Sequence, residues 1–221
     1  MLSGSQRKTK SGSSPKKLVI LLHGYGANGE NLIDLAQMWG ESLPDVEFHP
    51  PNAVERCESV PLGYQWFGIQ DFSPFNMRQG LDKATPFLKN YLEYLLRTRH
   101  LKSSDLALVG FSQGTMMALE MMFFLPGLAA IIGYSGVFYP PTSKSSFLPK
   151  TEIMLVHGTA DMVVPYPLMA QSSQQLQQLG LSVKTHTCPG LGHSINLEGI
   201  SLGGQFLNQV FSQPDPTIYT T

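Results

Sequence analysis

Leu106-Ala107-Leu108-Val109-Gly110-Phe111-Ser112-Gln113-Gly114-Thr115-Met116-Met117 is the stretch that decides how this 221-residue chain folds. The four residues before Gly110 read as a buried strand, and the Met-rich run 113–125 reads as an apolar helix. Between them the backbone must turn sharply. Glycines two residues to either side of Ser112 let strand and helix approach without a Cβ clash, the mechanical logic of a nucleophile elbow. Ser112 is therefore the candidate nucleophile.

Working outward, the same alternation repeats. Residues 17–22 form a continuous aliphatic run ending in His23-Gly24-Tyr25-Gly26, which reads as a buried strand followed by a glycine-rich loop. Further strands are expected at 46–49, 129–134, 153–157 and 182–187, with helices at 31–39, 79–100, 166–179 and 196–211. Pro86 should start or kink the second helix. Gly203-Gly204 weakens the last by about 1 kcal/mol per glycine relative to Ala. Residues 52–77 show no sustained periodicity, yet they hold Tyr64, Trp66, Phe67, Phe72 and Phe75, too many aromatics for a simple linker. Non-alternating strands separated by helices predict an α/β fold with a mostly parallel central sheet and helices on both faces. Such sheets place their sites at the carboxyl ends of the strands, where Ser112, Asp161 and His193 all fall.

A chain that is 42% hydrophobic and 14% charged fits one domain, assigned to residues 17–211. The formal net charge of −1 gives no reason to expect a nucleic-acid partner. The charge is unevenly spread: Arg7, Lys8, Lys10, Lys16 and Lys17 precede Leu18, and no acidic residue precedes Glu30. Residues 1–16 read as a disordered basic leader, with peripheral contact to anionic lipid as the alternative, and 212–221 as a flexible tail. No stretch has the length of a membrane span, and the amino-terminus lacks the apolar core of a signal peptide, so a cytoplasmic location is expected. Cys57 and Cys188 are too few for a disulfide framework and lack metal-ligand spacing; no metal is assigned, and no chemistry to Cys188.

A serine hydroxyl needs a base, and the base needs a partner that fixes its tautomer. His157-Gly158-Thr159-Ala160-Asp161 follows one apolar strand, and Gly190-Leu191-Gly192-His193-Ser194 precedes the last helix. The order Ser112, Asp161, His193 is that of α/β hydrolases. Asp161 could instead cap the turn before Pro165, and His193 a helix start. His23 reads as a loop organiser and His157 as structural; His49, His100 and His186 fall at element boundaries without evident partners. The negative oxygen formed during acyl transfer needs preset donors, assigned to the backbone amides of Gln113 and Tyr25. Because these are backbone groups, losing either side chain should hurt far less than losing Ser112.

Leu22-His23-Gly24-Tyr25-Gly26, Trp66-Phe67, the elbow with Gln113, His157-Gly158 with Asp161, and Gly192-His193-Ser194 together resemble the phospholipase/carboxylesterase family of α/β hydrolases. Acyl-protein thioesterases and small bacterial carboxylesterases belong to it. The likeness covers roughly 17–211. It implies an open site with a Ser/Asp/His triad that hydrolyses carboxylic esters, lysophospholipids or fatty-acyl thioesters, acylated proteins included, without metal or cofactor. It also places Trp66 and Phe67 near the acyl-binding side, ordinary core packing being the other reading. The chain departs from many members at Tyr25, where they have Leu, and at Gly68, where they have Asp; the second change bears on substrate preference.

The expected activity is that of a serine hydrolase whose cleft side chains Trp66, Phe67, Met162 and Leu191 accept a medium or long acyl chain. The rival is a non-catalytic hydrolase fold that binds a lipid or a protein. Substrate choice should depend on residues 52–78 and 136–151, and oligomeric state, a homodimer included, is left open.

Overall fold

The inner strands of the sheet have no polar face. β1 (Lys17–Leu22) buries Leu18 through Leu22 completely, as a parallel strand covered on both sides must. The computed structural model describes residues 2–142 and 150–213. In chain order β1 is followed by α1 (Ile33–Trp39), β2 (Val46–His49), a short antiparallel pair β3 (Glu55–Arg56) and β4 (Tyr64–Gln65), and α2 (Pro74–Arg99). Then come β5 (Leu106–Phe111), α3 (Gln113–Met121), β6 (Ala130–Tyr134), β7 (Glu152–Gly158), α4 (Pro167–Gln178), β8 (Val183–Cys188) and α5 (Leu197–Phe211). The main sheet runs β2-β1-β5-β6-β7-β8 with every neighbouring pair parallel, an α/β-hydrolase architecture in one domain.

Strand periodicity divides the core in two. Leu18, Ile20, Leu108 and Ile131 face α2, α3 and α4, whereas Val19, Leu21, Val109 and Ile132 face α1 and α5. From β1 the chain first builds outward to β2 and later returns to β1's other side with β5. That reversal opens a crevice beyond the carboxyl ends of β1 and β5, where Leu22 is in register with Gly110. The His23-Gly24-Tyr25 loop and the Ser112 turn leave the sheet there, side by side.

Three expectations are corrected. α2 begins at Pro74 rather than near 79, because Ser73 accepts a hydrogen bond from Asn76 N–H at 3.4 Å and Pro74 fits a first helical turn. Pro86 lies inside this 26-residue helix instead of starting it. Its lost backbone bond is outweighed by the buried stripe of Met77, Leu81, Leu88 and Leu92 against the sheet. The leader, expected to be unstructured, is held along β2: Arg7 and Phe48 exchange backbone hydrogen bonds of 2.8 and 2.9 Å, and Asn52 N–H donates to Ser3 O. β2 is the sheet's edge, and its free N–H and C=O groups recruit the leader's backbone. Beyond Gln213 the tail lies outside the described residues, as do positions 143–149 of the loop expected to influence substrate choice. Gly203-Gly204 stays helical, and these positions have a packing reason: a Cβ would meet Tyr134 Oη at 2.3 Å or Trp39 Cδ1 at 2.7 Å.

The helices over the first core are also tied by charge. Arg78 on α2 donates to both carboxylate oxygens of Glu120 on α3, at 2.8 and 2.6 Å, and to Tyr139 O at 3.1 Å. Burial pulls the Glu120 carboxyl up while Glu120 and Asp82 hold the guanidinium charged. The two-pronged contact is one that only a carboxylate accepts, so the pair is ionic. Arg78→Ala strands a carboxylate that is 1% exposed and should cost about 3–5 kcal/mol of unfolding free energy. Replacing both partners by Met and Leu should cost much less, which urea unfolding of the single and double variants checks.

Candidate active site

The turn after β5 is strained. Ser112 has φ 54° and ψ −118°, a left-handed conformation uncommon outside glycine, and its N–H is anchored to Tyr134 O at 2.9 Å. Tight packing enforces it. A Cβ on Gly110 would lie 2.4 Å from Gly114 C, and one on Gly114 would lie 1.9 Å from Leu22 O, so only glycine fits at both places. Thr115 Oγ1 bonds the carbonyls of Gly110 and Tyr134, which fastens the first turn of α3 to β5 and β6. Ser112 occupies the N-cap of α3, but its hydroxyl makes no cap hydrogen bond and is left for other use.

The acid and the histidine come together from two loops. His193 Nδ1 lies 2.8 Å from Asp161 Oδ2, while Asp161 Oδ1 accepts the N–H groups of Val163 and Val164, both at 2.9 Å. Asp161 thus caps its turn and holds a histidine at once. Burial pushes its carboxyl up, but the His193 bond, those two amides and the charge of His193 bring it below the usual carboxylate range. A carboxylate can only accept, so the Nδ1 proton of His193 faces Asp161, and Nε2 is the ring nitrogen left to exchange a proton with Ser112. The His193 ring packs 4.8 Å from that of Phe111, the residue before Ser112, which sets the imidazole beside the elbow.

Of the other histidines, His100 closes α2 as its C-cap in a left-handed conformation, φ 55°. His23 is fully buried, accepts Ala53 N–H at Nε2 (3.0 Å) and donates from Nδ1 to Gly24 O (2.7 Å). Burial, only partly offset by the Gly24 bond, lowers its pKa and keeps it neutral. His157 Nε2 donates to Val164 O at 2.8 Å and closes the Asp161 loop. His49 does have partners, in a buried cluster with Glu47 and Tyr91, and His186 Nε2 lies 3.2 Å from Glu198. The Tyr91 and Glu198 contacts come from other elements, whereas Glu47 lies two residues back on β2 itself.

Gln113 has a second role that the sequence did not disclose. Its side chain is 1% exposed; Oε1 accepts Trp66 N–H at 2.9 Å and Nε2 donates to Phe67 O at 2.8 Å. Trp66 Nε1 in turn donates to His23 O at 3.0 Å. The first residue of α3, the Trp66-Phe67 segment and the glycine loop therefore form one buried network. A Cβ on Gly24 would sit 3.2 Å from Ser112 Cβ, so the loop bearing Tyr25 lies against the nucleophile turn. The backbone N–H groups of Tyr25 and Gln113 have no hydrogen-bond acceptor among the described residues.

Trp66 and Phe67 are both core residues, each 1% exposed. Met162 projects into solvent, 91% exposed, and Leu191 packs against the second core. Two clefts flank the site instead. One of about 530 Å³ is mainly apolar and runs between Phe72, Met116, Val137, Phe138, Val163 and Leu168. The other, about 430 Å³, lies on the far side of His193 among Leu32, Leu35, Met38, Phe111 and Ile200. A polar depression among Lys17, Asp105 and Glu152 sits at the opposite, amino ends of the strands, away from this chemistry. Among the described residues no helix is long and apolar enough to cross a membrane.

Residues 6–211 match the sequence profile of the Phospholipase/Carboxylesterase family. Esterase YpfH of Escherichia coli (strain K12) is 28% identical over 184 residues, 82% of this chain and 77% of that protein. Acyl-protein thioesterase 1 of Debaryomyces hansenii is 27% identical over 216 residues, 90% of this chain and 93% of its own. Among solved structures, that of esterase PE8 superposes with a TM-score of 0.89 at 38% identity, covering 95% of this chain and 99% of that one. With a parallel sheet, a strained serine turn at its switch point and a profile match along nearly its whole length, this chain belongs to the phospholipase/carboxylesterase family of α/β hydrolases.

Proposed function

We propose that the chain is a serine hydrolase of carboxylic esters and acyl thioesters, acting through Ser112, His193 and Asp161. The observation that carries this reading is the Asp161–His193 pair at 2.8 Å, set beside a strained serine whose hydroxyl is not used as a helix cap. Ser112 Oγ attacks the carbonyl carbon as His193 Nε2 takes its proton. The oxygen gains negative charge and is received by the N–H groups of Tyr25 and Gln113, the latter at the positive end of α3. Collapse of this intermediate expels the alcohol or thiol, which takes the proton from His193. Water then attacks the Ser112 ester, giving up a proton to His193; the bond to Ser112 Oγ breaks, Oγ takes that proton back, and the carboxylic acid leaves.

The apolar 530 Å³ cleft supports a medium or long acyl chain, because it opens between Met116, one turn after Ser112, and Val163, two residues after Asp161. Esters of small alcohols, lysophospholipids and acylated proteins all present such a chain. The relatives named as esterase and acyl-protein thioesterase support both ester and thioester chemistry.

Ser112→Ala should abolish labelling by a fluorophosphonate probe and lower hydrolysis of p-nitrophenyl octanoate by a factor of about 10⁴–10⁶. Equal labelling of variant and wild type would overturn the assignment. Gln113→Ala keeps the backbone N–H but orphans Trp66 N–H and Phe67 O, so urea unfolding should show a loss of roughly 1–3 kcal/mol for each group. Its kcat should fall far less than that of Ser112→Ala. Val163→Trp narrows the apolar cleft from its exposed rim; kcat/KM for octanoyl esters should drop roughly tenfold or more while acetyl esters are little affected. Equal losses for both would place the acyl chain elsewhere.

A further inference from the structure

Three metal-ligating side chains meet outside the residues used above. His186 and Cys188 are two apart on β8 and so share a face, and Glu198 comes from the first turn of α5. Their ligand atoms all lie within 4.8 Å of one another. His186 Nε2 is 3.2 Å from Glu198 Oε1, yet this nitrogen is buried and makes no hydrogen bond. Cys188 is 1% exposed, and its Sγ lies 3.6 Å from the Asn196 side-chain oxygen at the cap of α5. In this cluster a buried nitrogen that makes no hydrogen bond faces a carboxylate with a thiol alongside.

We infer that His186, Cys188 and Glu198 form a binding site for a zinc-type divalent cation, with the fourth position open to water. The donor set is that of zinc: an imidazole nitrogen, a thiolate and a carboxylate. Tetrahedral zinc bonds of 2.0–2.3 Å put ligand atoms roughly 3.3–3.8 Å apart, so the His186–Glu198 spacing is already suitable. Glu198, whose side chain is 57% exposed, is free to turn toward Cys188 and close the remaining gap. Burial, with help from the charge of Glu198, raises the Cys188 thiol pKa against the Asn196 bond. The thiol proton therefore passes to solvent when the cation binds, and sulfur donates its electron pair to the metal. Spacing along the chain does not reveal the site, because the third ligand comes from a different element.

The cation would be a structural clamp. Cys188 O accepts Thr159 N–H at 3.1 Å and Leu191 N–H at 3.3 Å, and Thr159 Oγ1 accepts Gly190 N–H at 2.8 Å. Cys188 is thus the junction between the loops that carry Asp161 and His193. A cation there ties the end of β8 to the start of α5 and steadies both loops without touching either residue. Hydrolysis by the metal-free chain should persist, so the cation site and the proposed chemistry stand or fall separately.

The test is to strip the full chain with EDTA, remove the chelator and titrate it with ZnCl₂ by calorimetry and with CoCl₂ by absorption. One equivalent should bind, the thermal unfolding midpoint should rise with zinc concentration, and cobalt should show a thiolate charge-transfer band. Glu198→Gln, a change at an exposed side chain, should weaken binding at least as much as the roughly 10–100-fold that disturbing an outer partner costs. His186→Gln should do the same, and Cys188→Ala should lose the cobalt band. The absence of saturable binding, or undiminished binding in both Glu198→Gln and His186→Gln, would overturn the site. Should Cys188→Ala fail to fold, these two variants still decide it.

Discussion

The close approach of α3 to β1 and β5 is the constraint on which the rest of this molecule depends. Leu22 O would lie 1.9 Å from a Cβ at Gly114, and Gly114 itself blocks a Cβ at Gly110. No side chain fits between these backbones, so the chain must leave β5 through a turn too tight for relaxed dihedral angles. Ser112 carries the resulting positive φ, and its hydroxyl is held at the carboxyl end of the sheet instead of folding back onto α3. The strain is sustained by a strand buried from Leu106 to Gly110 on one side and an all-buried helix on the other.

Around that turn the protein spends its buried polar groups on position. The Gln113 side chain, Trp66 and His23 link α3, the Trp66-Phe67 segment and the glycine loop through hydrogen bonds from which water is excluded. Loosening one member would leave a buried amide or carbonyl unpaired, so the Tyr25 and Gln113 amides are held by more than their own loops. Asp161 follows the same economy of roles: Oδ1 takes two backbone amides, and Oδ2 lies 2.8 Å from His193 Nδ1 and 3.2 Å from His157 Nε2. Arg78 and Glu120 extend the pattern outward, joining α2 to the far end of the nucleophile helix and reaching the Tyr139 carbonyl at the rim of the apolar cleft.

Within the family, these features separate what is held rigid from what is open. Trp66 and Phe67 belong to the rigid part, while Val163, Leu168 and Phe72 line space that a substrate's chain can enter. The cation site lies in neither. It is placed where β8 meets α5, behind the loops that present Asp161 and His193.

The sequence by itself determined the strand–turn–helix at Ser112, the parallel sheet and the order Ser, Asp, His, because these are written in local signals: apolar runs, paired glycines and the placing of chemical residues after strands. Strand positions such as 17–22 and 46–49 were legible for the same reason. Only the tertiary structure decided which side chains meet. Gln113 reaches Trp66 and Phe67 across 47 and 46 residues, and His49 meets Tyr91 across 42. The leader's pairing with β2 and the run of α2 through Pro86 likewise follow from burial and from an open sheet edge, not from local preference. Hydrogen bonds and clefts are made between elements distant in the chain, and no periodicity along one element records them.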